Sequence, residues 1–265
     1  MATCGTAIFS TNTVDAIKNV KEVIAPRLVG MNVLEQGKLD ETLIELDGTE
    51  DKSRLGSGVM FAISVAVARA ASHDLNISMS QYLGGISGKT VPCPMMNLLS
   101  GDKIDDFMIT PTGFLTTRDR VNACLKVTRK LNELLDEEKF MVTLNRNGAF
   151  RTSIESNDLA LGLIKKAISE SEMETNQFEI TTALPKNSLL VVPNEIGTIT
   201  ESIYSIKTAK ETGNTPIVSL SSAETEDSFM VDLCVAINVK FLKIGIPIGA
   251  ERTSKYNALL EYSSF

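Results

Sequence analysis

Apolar positions recur every three or four residues over the first third of the chain and give way, after Val91, to short apolar and β-branched runs. MATCGTAIFSTNT, at the start, is weakly patterned. VDAIKNVKEVIAPRLVG predicts a helix with Val14, Ile17, Val20 and Ile24 on one face and Pro26 near its end. A second helix is predicted from about Leu34 to Leu46, closed by Asp47-Gly48, where a left-handed glycine can end it. SGVMFAISVAVARAASHDL is apolar and rich in small residues, so it should pack centrally, and ISMSQYLGG finishes the helical region. GGISGK, from Gly84 to Lys89, is the best linker candidate and divides the chain into 1–88 and 89–265.

Beyond it, VPCPMMNLL, FMITPTG, FMVTL, QFEITTAL, SLLVVP, TPIVSL and FLKIGIP read as strands. Helices are expected at about Arg118 to Glu138, Asn157 to Glu172 and Thr200 to Glu211, over FMVDLCVAINV, and again at the C-terminal end. Repeated βα units imply an α/β fold with a parallel sheet and helices outside. Chemistry in such sheets gathers past the carboxyl ends of the strands, here Leu220 to Asp227 and Lys243 to Arg252. The pattern supplies six or seven strands, short of the eight that close a barrel, and an open parallel strip would expose edges and apolar faces unless its ends close or a partner covers them.

A length of 265 residues with 43% hydrophobic content permits a large core, and a net charge of −7 without long blocks argues against a nucleic-acid surface. No apolar run approaches the ~18 residues of a membrane span. Cys4, Cys93, Cys124 and Cys234 are scattered, without C-x-x-C spacing, which fits reduced thiols in a cytoplasmic protein. His73 is the only histidine, so no triad or zinc site can be completed with a second one. GGISGKT lacks the spacing of a phosphate loop. Asp102, Asp105 and Asp106 read as a solvated turn, and Glu224, Glu226 and Asp227 as favourable charges in the first turn of a helix.

The segments SLSSAETED and FLKIGIPIGAERTSKYNALL, with IAPRLVGMNV, LIELDGTEDKSRLG, VPCPMMNLLSG, FMITPTG and NEIGTITESIYSIKTAKETG, resemble the enolase family over nearly the whole chain. The resemblance implies an incomplete enolase-type (β/α) barrel over 89–265, preceded by a truncated, mainly helical N-terminal domain over 1–88. The family's N-terminal meander and its S-G-A-S-T-G loop have no counterpart here, and several βα units are replaced by a short bridge between Glu172 and Leu189. It also implies Mg2+, a small phosphorylated acid as substrate, and a homodimer.

Family chemistry removes a proton beside a carboxylate, with a lysine base and one or two Mg2+ ions. Carried over position by position, that base falls on Val192, within LLVVPNEIG where the family reads L-L-L-K-V-N-Q-I-G. Asn147, in NRNGAF, stands where a glutamate assists hydroxide departure; neither side chain can replace the group it stands for. The His and Arg of S-H-R-S become Leu220 and Ser221, leaving Ser222. Lys243 matches the lysine that neutralises the substrate carboxylate, and Asp106 takes the place of a glutamate. The strands that would bring metal ligands are missing, so none is assigned. The expectation is an enolase-family protein that is catalytically impaired or inactive, with a structural or binding role. The alternative is a Mg2+-dependent phosphopyruvate hydratase of glycolysis, a lyase turning 2-phosphoglycerate into phosphoenolpyruvate and water.

Overall fold

Proline without an N–H, at position 26 of an otherwise helical run, sets the geometry of the first element. The computed structural model describes residues 4–8, 15–221 and 224–263, so Val14, on the expected apolar face, lies outside the described residues. Two short α-helical pieces, α1 (Ala16–Lys18) and α2 (Ala25–Leu28), flank a π-helical turn over Asn19–Ile24. The Ala25 N–H there reaches back five residues to Val20, and this wider turn makes room for the Pro26 ring. Helix α3 (Gln36–Asp47) ends on Gly48 in the left-handed region, as the Asp-Gly signal predicts. Helix α4 (Ser57–Asp74) is the central helix, and α5 (Met79–Gly84) opens with Ser78 and Gln81 in a capping box.

Ile24, Leu43, Leu55, Val59 and Met60 form a small core of their own, while Phe61, Val65 and Ala68 of α4 belong to the large core of the second region. The two regions are therefore packed together. The stretch 84–89, which connects them, is itself packed: a Cβ on Gly84 would lie 2.0 Å from the carbonyl oxygen of Ala236, so only glycine allows that approach.

Strands β1 (Cys93–Gly101) and β2 (Phe107–Thr110) pair antiparallel. Helix α6 (Thr117–Glu137) leads into a hairpin of β3 (Val142–Leu144) and β4 (Phe150–Thr152), and α7 (Asn157–Glu170) follows. Next come β5 (Glu179–Thr181), β6 (Ser188–Val191), α8 (Pro193–Ile196), α9 (Ile199–Glu211), β7 (Thr215–Ser219), α10 (Phe229–Ala236), β8 (Phe241–Lys243) and α11 (Ala250–Tyr262). Among the described residues this makes eight strands, one more than the apolar pattern supplies; β4 is the addition.

The wall runs β5-β2-β1-β8-β7-β6, with β1, β8, β7 and β6 mutually parallel and the β3–β4 hairpin attached to the end of β1. It is not closed, since β5 and β6 stand at its two ends. The bridge between them, residues 182–187, sends Leu184 against Met95, Met108, Ile217 and Phe241, which plugs the interior in place of further strands.

Register assigns the two faces. Phe241 pairs with Ile217 and Cys93, and Lys243 pairs with Ser219 and Met95. With side chains alternating, Ile217 and Phe241 share the inner face with Ser219 and Lys243 one layer further along. Val218 and Leu242 face the helices and join the large core.

Buried polar links tie the N-terminal helices to this wall. Asp40 accepts from the Ser64 hydroxyl at 2.6 Å, the Thr200 hydroxyl at 2.6 Å and the Thr200 N–H at 3.0 Å, so α3 caps α9. Arg69 makes two 2.7 Å bonds to the Asp227 carboxylate, which also accepts from the N–H of Ile8 and of Phe229. Burial works against ionisation of Asp227, but these bonds outweigh it and hold its pKa below the ordinary value.

Asp232 behaves in the opposite way: burial pushes its pKa up to about 6, against the Tyr262 hydroxyl at 2.5 Å and the Arg69 charge, with Asp227 and Glu261 adding to the rise. The folded protein keeps this proton where the unfolded chain has lost it, so stability falls as pH rises from about 4 to about 6 and is level above. At 1.36 kcal/mol per pKa unit, a rise from 3.8 to about 6 makes the loss on the order of 3 kcal/mol. Urea titrations across that range should show the decline in the wild type and a much flatter line in Asp232→Asn. An equal slope in both proteins would contradict the assignment.

Candidate functional site

At the carboxyl ends of β7 and β8, beside the middle of β1, lies a cavity of about 30 Å3, lined by Asn97, Asn147, Ser219, Leu220, Ser221, Lys243, Ile244 and Arg252. That is room for a water molecule or two. Strand alternation places Ser219 and Lys243 here, one layer beyond the apolar plug. The lining carries two cations and no carboxylate. Asn97 and Arg252 are buried, and Asn97 Oδ1 and Arg252 Nε have no hydrogen-bond partner among the described residues.

Lys243 is half-buried and lines the cavity; burial lowers its pKa, offset in part by the nearby Asp106 carboxylate. Asp106 is exposed at the foot of β2. Its neighbours are engaged elsewhere: Asp102 pairs with Arg151, and Asp105 accepts from Asn157 Nδ2 at 2.8 Å. The acidic loop is therefore splayed across two elements rather than converged on one point.

Asn147 sits in the turn joining β3 to β4, where the Asn145 side chain accepts from the Ala149 N–H and donates to the Ser100 hydroxyl at 2.8 Å. The turn is docked on the exit of β8 through Ile246 N–H to the Gly148 carbonyl, 2.7 Å. Arg252 closes over it: its guanidinium bonds the Arg146 carbonyl at 2.9 Å, and a Cβ on Gly148 would stand 2.0 Å from its Nε. Arg252 thus occupies space a bound molecule would need. Nothing in the apolar pattern singled it out, although its place on one face of α11 with Lys255, Tyr256 and Leu259, at i, i+3, i+4 and i+7, is the available signal.

Val192 follows the last residue of β6. Since Val191 pairs with Val218, Val192 stands level with Ser219, in the same layer as Lys243. Its side chain is an isopropyl group, and it is not among the residues that line the cavity. Ser221 bonds Glu224 through both its N–H and its hydroxyl at 3.4 Å. Ser222 lies outside the described residues.

Glu224 and Asp227 precede α10 instead of lying in its first turn, and both are structural. Lys255 Nζ lies 3.1 Å from Glu224 Oε2 and gives a hydrogen bond to the Thr225 carbonyl, with the Lys255 and Glu224 side chains 0% and 2% exposed. The lysine faces Glu224 as a charge, and Oε2 itself receives no hydrogen bond.

A divalent ion such as Mg2+ needs several hard oxygen ligands at one point. Among the described residues no three His, Cys, Asp or Glu side chains gather in such a group, and the residues of this cavity do not fit the ion. No helix among the described residues is long and apolar enough to cross a membrane.

Residues 6–83 match the family model described as "Enolase, N-terminal domain". The model described as "Enolase, C-terminal TIM barrel domain" matches in two stretches, 88–185 and 173–263. The stretches overlap across the bridge between β5 and β6, where the wall is interrupted.

Proposed function

Because the chain belongs to the enolase family, we propose that it is a non-catalytic member, keeping the family's core and the cation-lined end of the wall for a structural or binding role. The observation that carries this reading is the cavity itself, about 30 Å3 with no carboxylate in its lining and with Val192 in the layer where the resemblance places the proton acceptor. Abstraction of a proton beside a carboxylate requires a base and a compensating charge for the dianionic intermediate. Valine has no lone pair to offer, and Asn147 cannot hand a proton to a departing hydroxide as a carboxylic acid does. What these residues can do is hold a small anionic or neutral group: Lys243 supplies charge, Asn97 and Ser219 supply hydrogen bonds, and Arg252 shuts out bulk water.

The alternative reading, a Mg2+-dependent phosphopyruvate hydratase, is favoured by Lys243, which lines the cavity where the resemblance expects a cation to meet the substrate carboxylate, with the nearby Asp106 carboxylate supporting its charge against the effect of burial. A ligand that binds only the folded state raises its melting temperature by mass action. Millimolar Mg2+, alone or with 2-phosphoglycerate, should leave the melting temperature of the wild type unmoved; a clear rise that requires the metal would overturn the non-catalytic reading. Val192→Lys should stay inactive, because a base without an acid partner or oxygen ligands completes only one requirement. Turnover gained by that substitution alone would show that the remaining machinery is intact. The protein is proposed to act in the cytoplasm.

A further inference from the structure

Strand β6 ends the parallel wall, bonded to β7 on one side, and both its central side chains are open: Leu189 is 42% and Leu190 38% exposed. Its register, Leu189 with Pro216 and Leu190 with Ile217, puts these leucines on opposite faces. In a closed barrel both faces would be covered, one by the packed interior and one by helices. An uncharged edge strand that is apolar on both faces is a template for pairing with another strand.

We propose that this edge pairs antiparallel with the same edge of a second copy of the chain, forming a two-fold dimer through β6. The choice of occupant comes from the charges at the strand's ends. Exposed Lys186 precedes β6 and exposed Glu195 follows it, in α8. An antiparallel self-pairing brings Lys186 of each copy toward Glu195 of the other, twice per dimer, whereas a parallel one would bring like charges together. Leu189 and Leu190 then meet their counterparts across the two-fold axis, without a charge opposite either.

The other two edges lack this complementarity. Strand β3 also exposes apolar groups, at Met141 and Leu144, but it is flanked by Lys139 and Arg146, so antiparallel self-pairing there would oppose like charges. Strand β5 begins with exposed Glu179, which blunts it as a template.

The test is sedimentation velocity of the full chain over a range of concentrations, on the wild type, Leu190→Lys, Leu189→Lys, Lys186→Glu and the double variant Lys186→Glu/Glu195→Lys. Circular dichroism and melting curves show which variants keep the fold, and the two leucine substitutions are independent, so one suffices if the other unfolds. The wild type should form a dimer that either lysine substitution disperses. Lys186→Glu should weaken it by about tenfold, from two rim contacts turned repulsive, and the charge swap should restore it. A monomer at every concentration, a dimer indifferent to the leucine substitutions, or growth beyond the dimer from head-to-tail joining of β5 to β6 would each overturn the proposal.

Discussion

Replacing Lys255 by methionine is expected to lower the melting temperature by roughly 10 °C. Lys255 is the most deeply buried cation among the described residues, fully enclosed in α11, and its ammonium faces the equally buried Glu224 at 3.1 Å while bonding the Thr225 carbonyl. Removing one partner of a buried ion pair leaves the other charge in a medium that cannot solvate it, at a cost of about 3–5 kcal/mol. For a chain of this length each kcal/mol is worth about 2–4 °C. The same account predicts that Lys255→Met/Glu224→Gln recovers most of the loss, because the unpaired charge is then gone, while Glu224→Gln alone is costly. Thermal unfolding followed by circular dichroism distinguishes these. If Lys255→Met melted with the wild type, the pair would have to be solvated in a way that its burial denies.

Phe229→Ala carries the second large effect, a loss of about 3–5 kcal/mol. Phe229 opens α10 and meets Phe61 of α4 edge to face, with ring centroids 5.7 Å apart and both rings fully buried. This contact joins the helical region to the β/α region, so the cavity left behind cannot collapse without moving one against the other. Unfolding in urea should therefore show the loss in one cooperative transition. If instead only part of the helical signal were lost early, with the remainder melting at the wild-type midpoint, α4 would be folding separately from the core it shares.

Much of this architecture can be read from residue patterns because the helices carry clear three-to-four-residue periodicity and their ends carry specific signals: Asp47-Gly48 closes α3, and Thr116, Ser156 and Thr198 each cap the helix that follows by accepting an N–H. Strand β4 is not legible from its own residues, since Phe-Arg-Thr is three residues long with a single large apolar side chain, so its identity comes from pairing with β3 and β1. Glycine in the stretch 84–89 has a second role that the pattern does not show: Gly84 is pressed against Ala236, where a side chain would not fit.

The charged residues divide in the same way. Val192 and Lys243 are singled out only by the resemblance, which places them at the end of β6 and in β8. Glu224, Asp227, Arg252 and Lys255 were harder to place, since what each one does depends on partners far away in the chain, such as Arg69 for Asp227 and the Arg146 carbonyl for Arg252. The acidic loop after β1 gives no hint in its own spacing that Asp102 and Asp105 are taken by Arg151 and Asn157.

The most direct measurement is enol-phosphate formation from 2-phosphoglycerate by the purified protein, with Mg2+ and with chelator, beside Lys243→Ala. The account predicts no turnover above the protein-free rate under any of these conditions. Mg2+-dependent turnover that the chelator and Lys243→Ala both abolish would contradict it.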